Sequence, residues 1–170
     1  MGLVSEPQTS SQPESASPRV VIITGMSGAG RRTAAHAMED LGWFVVDNLP
    51  PSMLSQLVET ARRGGQNRVA VGLDVRSREM FDQLPRSLAQ LEVQGIRCEI
   101  CYLEASDVAI VRRQESSRRP LPLQGGGSII QAVAKERRML RNLRADADVV
   151  IDTSNLNVHQ LAHRVGHIYG

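Results

Sequence analysis

The residues best suited to hold an anion are Gly25-Met26-Ser27-Gly28-Ala29-Gly30-Arg31-Arg32-Thr33. Glycines let backbone N–H groups turn inward and approach an oxygen closely. A helix starting at the end of such a turn adds unpaired N–H donors and the positive end of its dipole. Gly25 and Gly30 fit the phosphate-loop spacing G-x-x-x-x-G-K-[ST]. Two positions depart from it. Arg31 stands where the lysine belongs, and Arg32 where a hydroxyl would ligate magnesium. Arginine pairs with phosphate as a bidentate fork, so binding of a triphosphate is expected to survive. The lost hydroxyl makes hydrolysis a weaker expectation than binding, and Thr33 comes one residue too late to replace it. The intervals between Gly25, Gly28 and Gly30 do not fit the dinucleotide pattern G-x-G-x-x-G. A glycine-rich strand-to-helix turn without a ligand is the alternative.

Carboxylates follow at the ends of apolar runs, where ligands of open α/β sheets sit. Asp74, after Val69-Ala70-Val71-Gly72-Leu73, has the setting of a Walker B carboxylate that holds magnesium directly or through water. Asp47 stands where small-molecule kinases keep a carboxylate facing the acceptor hydroxyl. Both would equally serve as helix caps or loop aspartates. Arg76 follows within reach of a phosphate or an acceptor, and Glu104 closes a further strand, where it could cap the next helix. Asp152-Thr153-Ser154 falls where phosphate-loop folds cradle a base. No Asn-Lys-x-Asp signature is present, so base preference is unreadable.

Arg112, Arg113, Arg118 and Arg119 precede a glycine-rich stretch, in the manner of a kinase lid whose arginines close over transferring phosphates. They also read as a solvated basic patch or as partners of a helix C-terminus. RNA phosphates are a further match, but without interleaved aromatics base stacking is not supported. Cys98 and Cys101 lie three apart in a strand, hence on opposite faces, and read as buried structural thiols rather than a redox pair. His159, His163 and His167 share one helix face with no further ligand nearby and read as solvated.

The elements that must position these groups alternate regularly. Val20 to Thr24 is a β-branched run buried on both faces. Arg31 to Leu41 is a helix closed by Gly42, and Trp43 to Val46 a second strand ending at Asp47-Asn48-Leu49-Pro50-Pro51. A helix from Pro51 to Arg63 stops at Gly64-Gly65. Strand Arg68–Leu73, helix Ser77–Gln94, strand Arg97–Leu103 and a helix capped by Ser106 or Asp107 and reaching Ser117 come next. After a loop over 118–127 the spacing predicts helix Ser128–Arg144, strand Val149–Ile151 and helix Val158–Ile168. Five short apolar strands alternating with helices make an α/β protein, a five-stranded parallel sheet with helices on both faces.

Composition sets the outer bounds. The 170 residues suit one domain. Residues 1–18, rich in Ser, Pro, Gln and Glu, read as a disordered tail, and 19–170 as the domain. Twenty basic residues against eighteen acidic leave a net charge of +2, which argues against a nucleic-acid sleeve. Lys135 is the sole lysine, so the arginines at 31 and 32 belong to a general preference. No apolar run approaches a membrane span, and two cysteines cannot build a disulfide framework, so a cytoplasmic location is expected.

Taken together, the segments G-M-S-G-A-G-R-R-T, L-E-D-L-G-W-F-V-V-D-N-L-P, L-D-V-R-S-R, L-E-A-S-D, E-R-R-M-L and V-I-D-T-S-N-L resemble the RapZ family of bacterial phosphate-loop nucleotide-binding proteins, in order from residue 19 onward. The resemblance implies a P-loop NTPase-like three-layer sandwich that binds ATP or GTP with Mg2+, with weak ATPase or GTPase activity. It assigns Gly25 through Arg32 to the phosphates and Asp74, Val75, Arg76 and Ser77 to GTP. It also implies a C-terminal domain, lacking here, that is linked to RNA binding and amino-sugar signalling and would engage an RNA or protein partner. The loop Arg118-Arg119-Pro120-Leu121-Pro122 lacks a histidine common in the family. The expected function is a cytoplasmic nucleotide-binding regulatory domain, with Asp74 positioning magnesium and Arg118 or Arg119 closing over the terminal phosphate. The alternatives are a small-molecule kinase with Asp47 as base, and a non-catalytic RNA-binding or protein adapter with a vestigial nucleotide site.

Overall fold

β1, Arg19–Gly25, takes the centre of the sheet because six of its seven residues are apolar or small enough to be buried on both sides. In the computed structural model, which describes residues 17–73, 78–117 and 128–170, it pairs in parallel with β3, Arg68–Leu73, and with β4, Cys98–Glu104. β2, Phe44–Leu49, and β5, Val149–Asp152, form the two edges. The strand order is β2-β3-β1-β4-β5, all parallel. Edge position shows in the burial: β2 and β5 carry the exposed Phe44 and Val150, whereas Val20, Val21 and Ile22 of β1 are fully buried.

Helices cover both faces, as the alternation predicts. α1, Arg31–Asp40, packs on α7, Val158–Tyr169. A 3₁₀ turn, Pro51–Met53, leads into α2, Leu54–Arg63, which meets α3, Arg78–Val93. α4, Asp107–Ser117, packs on α5, Ile129–Met139, and α5 on the short α6, Arg141–Ala145. The α1–α7 contact is sealed where Trp43 meets Tyr169 edge-on, centroids 6.0 Å apart, with the indole N–H donating to the Tyr169 carbonyl at 3.3 Å. The Arg19 and Arg68 guanidiniums each lie 5.4 Å from the Trp43 ring.

Two boundaries differ from the sequence reading. The second strand continues past Val46 to Leu49, through a register shift at Asp47 and Asn48, with Asn48 in the left-handed region at φ 55°. Asparagine tolerates that conformation better than most residues. The single helix expected over 128–144 breaks at Leu140, which ends α5 and begins α6 with φ −92° and ψ 1°. Its side chain is buried, so the bend keeps the core contact and redirects the backbone. The cap of α4 is Ser106, whose hydroxyl accepts the Ala109 N–H at 3.2 Å.

Candidate functional site

The loop after β1 begins with a backbone contact that only glycine permits. Gly25 has φ 136°, and a Cβ there would stand 2.0 Å from the Leu103 carbonyl oxygen. That oxygen accepts the Met26 N–H at 3.0 Å, and the Met26 carbonyl accepts the Ala29 N–H at 3.1 Å. Gly28 and Gly30 follow at φ 81° and 97°, and Gly30 is the residue from which α1 springs. Its carbonyl takes the Ala34 N–H. The amides of Arg31, Arg32 and Thr33 are the first-turn donors that a helix leaves without an internal acceptor. With Gly28 and Gly30 they face no acceptor among the described residues. Arg31 is half-buried and Arg32 exposed, and neither guanidinium has an ion-pair or hydrogen-bond partner among the described residues. Free amides, a helix N-terminus and two unpaired arginines together fit a polyphosphate.

Behind the loop, Thr153 is buried and donates its hydroxyl to the Ala29 carbonyl at 2.8 Å. Arg113 reaches across from α4, donating to the Gly28 carbonyl at 2.9 Å and to the Thr153 carbonyl at 2.5 Å. That commits Arg113 to bracing the loop from behind, so of the four arginines grouped as a lid it has no guanidinium to spare for a transferring phosphate. A cleft of about 370 Å³ opens alongside, lined by Gly30, Thr33, Arg113, Thr153, Leu156 and Asn157 among others. Thr33 therefore lies on the cleft side of the loop. The turn after β5 holds itself in shape: the Asp152 carboxylate accepts the Ser154 hydroxyl at 2.5 Å and the Ser154 N–H at 2.9 Å. These two donors hold Asp152 below the usual carboxylate range.

The remaining polar residues are placed more plainly. Glu104 does not cap α4; it takes a two-pronged ion pair from Arg144 at 2.6 and 2.9 Å. Asp47 is exposed, and its Oδ1 accepts the Asn48 N–H at 2.9 Å, so it stabilises its own bulge above Gly72. Cys98 and Cys101 are free thiols; burial pushes Cys98 up to about 12 and raises Cys101 as well, which leaves neither a nucleophile. The three histidines of α7 are exposed. Asp74, Val75, Arg76, Ser77, Arg118 and Arg119 lie outside the described residues. Among the described residues no three or more His, Cys, Asp or Glu side chains converge as a metal site.

Sequence reasoning missed one residue of the site outright. Glu136 of α5 is buried and accepts the Ser27 backbone N–H. The available signal was its spacing: Ala132, Val133, Glu136 and Leu140 occupy one helical stripe, so a carboxylate falls on the buried face.

The family model of the RapZ-like N-terminal domain matches residues 19–170, the whole of this sheet and its loop. The chain belongs to the RapZ-like family. This RapZ-like chain is 63% identical over 152 residues to a nucleotide-binding protein of Cutibacterium acnes, which takes in 89% of the chain and 52% of that relative. It is 57% identical over 156 residues to a nucleotide-binding protein of Streptomyces coelicolor, 91% of the chain and 52% of the relative. The chain thus spans about half the length of the curated relatives it matches. Among solved structures, the RapZ-like fold superposes on a tunicamycin resistance protein of Deinococcus radiodurans with a TM-score of 0.61 at 18% identity, covering 90% of this chain and 96% of that one. Shikimate kinase of Bacteroides thetaiotaomicron gives 0.58 at 14% identity, covering 88% and 96%. These likenesses show the phosphate-loop kinase fold. Among the described residues no helix is long and apolar enough to cross a membrane.

Proposed function

We propose that this RapZ-like domain binds ATP or GTP at the loop from Gly25 to Thr33 and acts as a cytoplasmic regulatory domain with, at most, slow nucleotide hydrolysis. The observation that carries the reading is the set of amides at Gly28 and at Gly30 to Thr33 that have no acceptor among the described residues, flanked by Arg31 and Arg32, unpaired among the same residues, and opening beside a cleft. The names of the relatives support it: both are nucleotide-binding proteins. Arg31 takes the role of the loop lysine as a planar fork. Magnesium, where bound, neutralises phosphate charge; Asp74 is the residue of this chain to hold it, since Arg32 offers no hydroxyl. Val75, Arg76 and Ser77 complete the nucleotide contacts, and Arg118 or Arg119 closes over the terminal phosphate. An RNA or protein partner is engaged through the part of the longer relatives that this chain does not span.

Calorimetric titration with ATP and with GTP, each with and without magnesium, tests the reading, with Gly30→Val as the blocked loop. A Val side chain there meets φ 97° and Leu161 Cδ2 at 2.6 Å. Micromolar binding, about 8 kcal/mol, that this substitution abolishes is the expected outcome; a folded chain that binds neither nucleotide refutes it. A phosphorylated product that appears only with an added acceptor and is lost in Asp47→Asn would move the assignment to a small-molecule kinase.

A further inference from the structure

Among the described residues Glu136 is a carboxylate without a cation. It is 6% exposed, yet its Oε1 is held by a backbone donor of the loop, the Ser27 N–H, which lies 109 residues earlier. No described arginine pairs with it. Arg137 donates to Asp107 at 2.7 Å and to the Ala105 carbonyl at 3.1 Å. Arg113 is spent on Gly28 and Thr153. Arg31 and Arg32 pair with nothing among the described residues. A buried charge is costly unless polar donors replace its water, and the donor found here is one that phosphate loops offer to anions. The loop thus has two ends in different states. Its helix end, Gly28 and Gly30 to Thr33, is open, whereas its strand end at Ser27 is already filled by the chain's own anion.

The direction in which a nucleotide enters follows from the cleft. Gly28, Ala29 and Gly30 line it together with Thr153, Leu156 and Asn157, and neither Ser27 nor Glu136 does. A base seated there sends its phosphates past the start of α1 toward Ser27, so the outermost phosphate is the one that arrives at Glu136. Resting on the phosphate-loop reading above, we propose that Glu136 determines the length of the phosphate chain accepted: its carboxylate stands in for the terminal phosphate at the Ser27 N–H. A nucleoside diphosphate seats on the open amides and leaves it in place. A triphosphate has to expel it, because two anions at hydrogen-bond range in a partly desolvated site repel strongly. The domain thereby favours the diphosphate more than its amides and arginines alone would dictate.

The experiment compares the 170-residue chain with Glu136→Gln and Glu136→Ala, titrated without magnesium against ADP, ATP, pyrophosphate and tripolyphosphate. Glutamine keeps a carbonyl oxygen for the Ser27 N–H and removes only the charge. The expected result is a gain of about tenfold or more for ATP and tripolyphosphate, with ADP and pyrophosphate changed less than threefold. Equal gains for both chain lengths, or weaker ATP binding in the glutamine variant, overturn the inference and leave the loop reading intact. No binding of any of the four by wild type and both variants overturns the loop reading and this inference with it. A second readout needs no variant. In the wild-type chain the Ser27 amide resonance is expected to shift on adding ATP and stay in place on adding ADP, and equal shifts with both refute the assignment.

Discussion

Arg113 of α4 and Gly28 of the phosphate loop, 85 residues apart, are joined by a hydrogen bond of 2.9 Å, and the same guanidinium holds the carbonyl of Thr153 behind the loop. One side chain thus fixes the loop against the turn after β5. Hydrogen bonds from a charged donor are each worth about 1.5–3 kcal/mol. Arg113→Ala is expected to lower stability by about 2 kcal/mol, a fall in Tm of about 4–8 °C for a domain this size. Arg113→Lys restores little, because one ammonium cannot span the two carbonyls in the geometry of the fork. Thermal unfolding of the three proteins, with nucleotide titration of each, checks both statements.

Gly25→Ala places a methyl group against the Leu103 carbonyl, in a backbone conformation that alanine rarely adopts. Relief requires β1 and β4 to separate at the foot of the loop, and those strands are the centre of the sheet. The expected loss is about 3 kcal/mol or more, read as a shift of the urea midpoint with little change in slope. Gly65→Ala, at φ 77° but with open space around it, is expected to cost about 1 kcal/mol and serves as the comparison.

Arg32→Ser returns the hydroxyl that the phosphate-loop pattern places there. Calorimetry is expected to show a magnesium-dependent gain in ATP affinity for the variant, with little change in its absence. Arg31→Ala removes the remaining phosphate partner of that pair and is expected to weaken ATP about tenfold, or about 1.4 kcal/mol. If Arg32→Ser leaves the magnesium dependence unaltered, position 32 does not face the metal.

Alkaline pH is expected to destabilise the fold through its half-buried and buried thiols and the buried Tyr102. Burial raises Cys98 from 9.0 to about 12 and lifts Cys101 in the same direction, and Tyr102 rises from 10.0 to about 12. The folded state therefore keeps protons that the unfolded chain has released, so stability is complete below pH 9 and declines toward pH 12. Urea unfolding at pH 7, 9 and 10.5 should show the decline, and Cys98→Ala should flatten it. An unchanged slope in that variant would place the effect elsewhere.

The sheet was readable because its strands are short apolar runs, β-branched in β1, β3 and β5, that alternate with helices, and the loop because its glycine spacing admits few uses. What escaped was local chemistry that tertiary contact overrides. Asp47-Asn48-Leu49-Pro50 has the composition of a turn, yet pairing with β3 carries the strand through it as a bulge. The break at Leu140 has neither glycine nor proline to announce it, and helix formers stand on both sides. Arg113, Thr153 and Glu136 each meet the loop from 85, 124 and 109 residues away. Distances of that kind are set by how helices land on the sheet, and composition carries no trace of them. The arginine at 113 was visible as a charge, but its partner, a backbone carbonyl, has no residue-type signature.

Those long separations also order events during synthesis. β1 emerges early, but its neighbours β3 and β4 are made much later, and pairings so distant in sequence form slowly. The Met26 N–H finds its acceptor only with Leu103, the Ala29 carbonyl its donor only with Thr153, and Gly30 its packing neighbour only with Leu161 of α7. Nearly the whole domain must leave the ribosome before the loop written in its first fifteen residues acquires its shape. Nucleotide affinity is thus a late-appearing property, and capture of nascent chains on immobilised ATP would report completion of the domain rather than the presence of its loop.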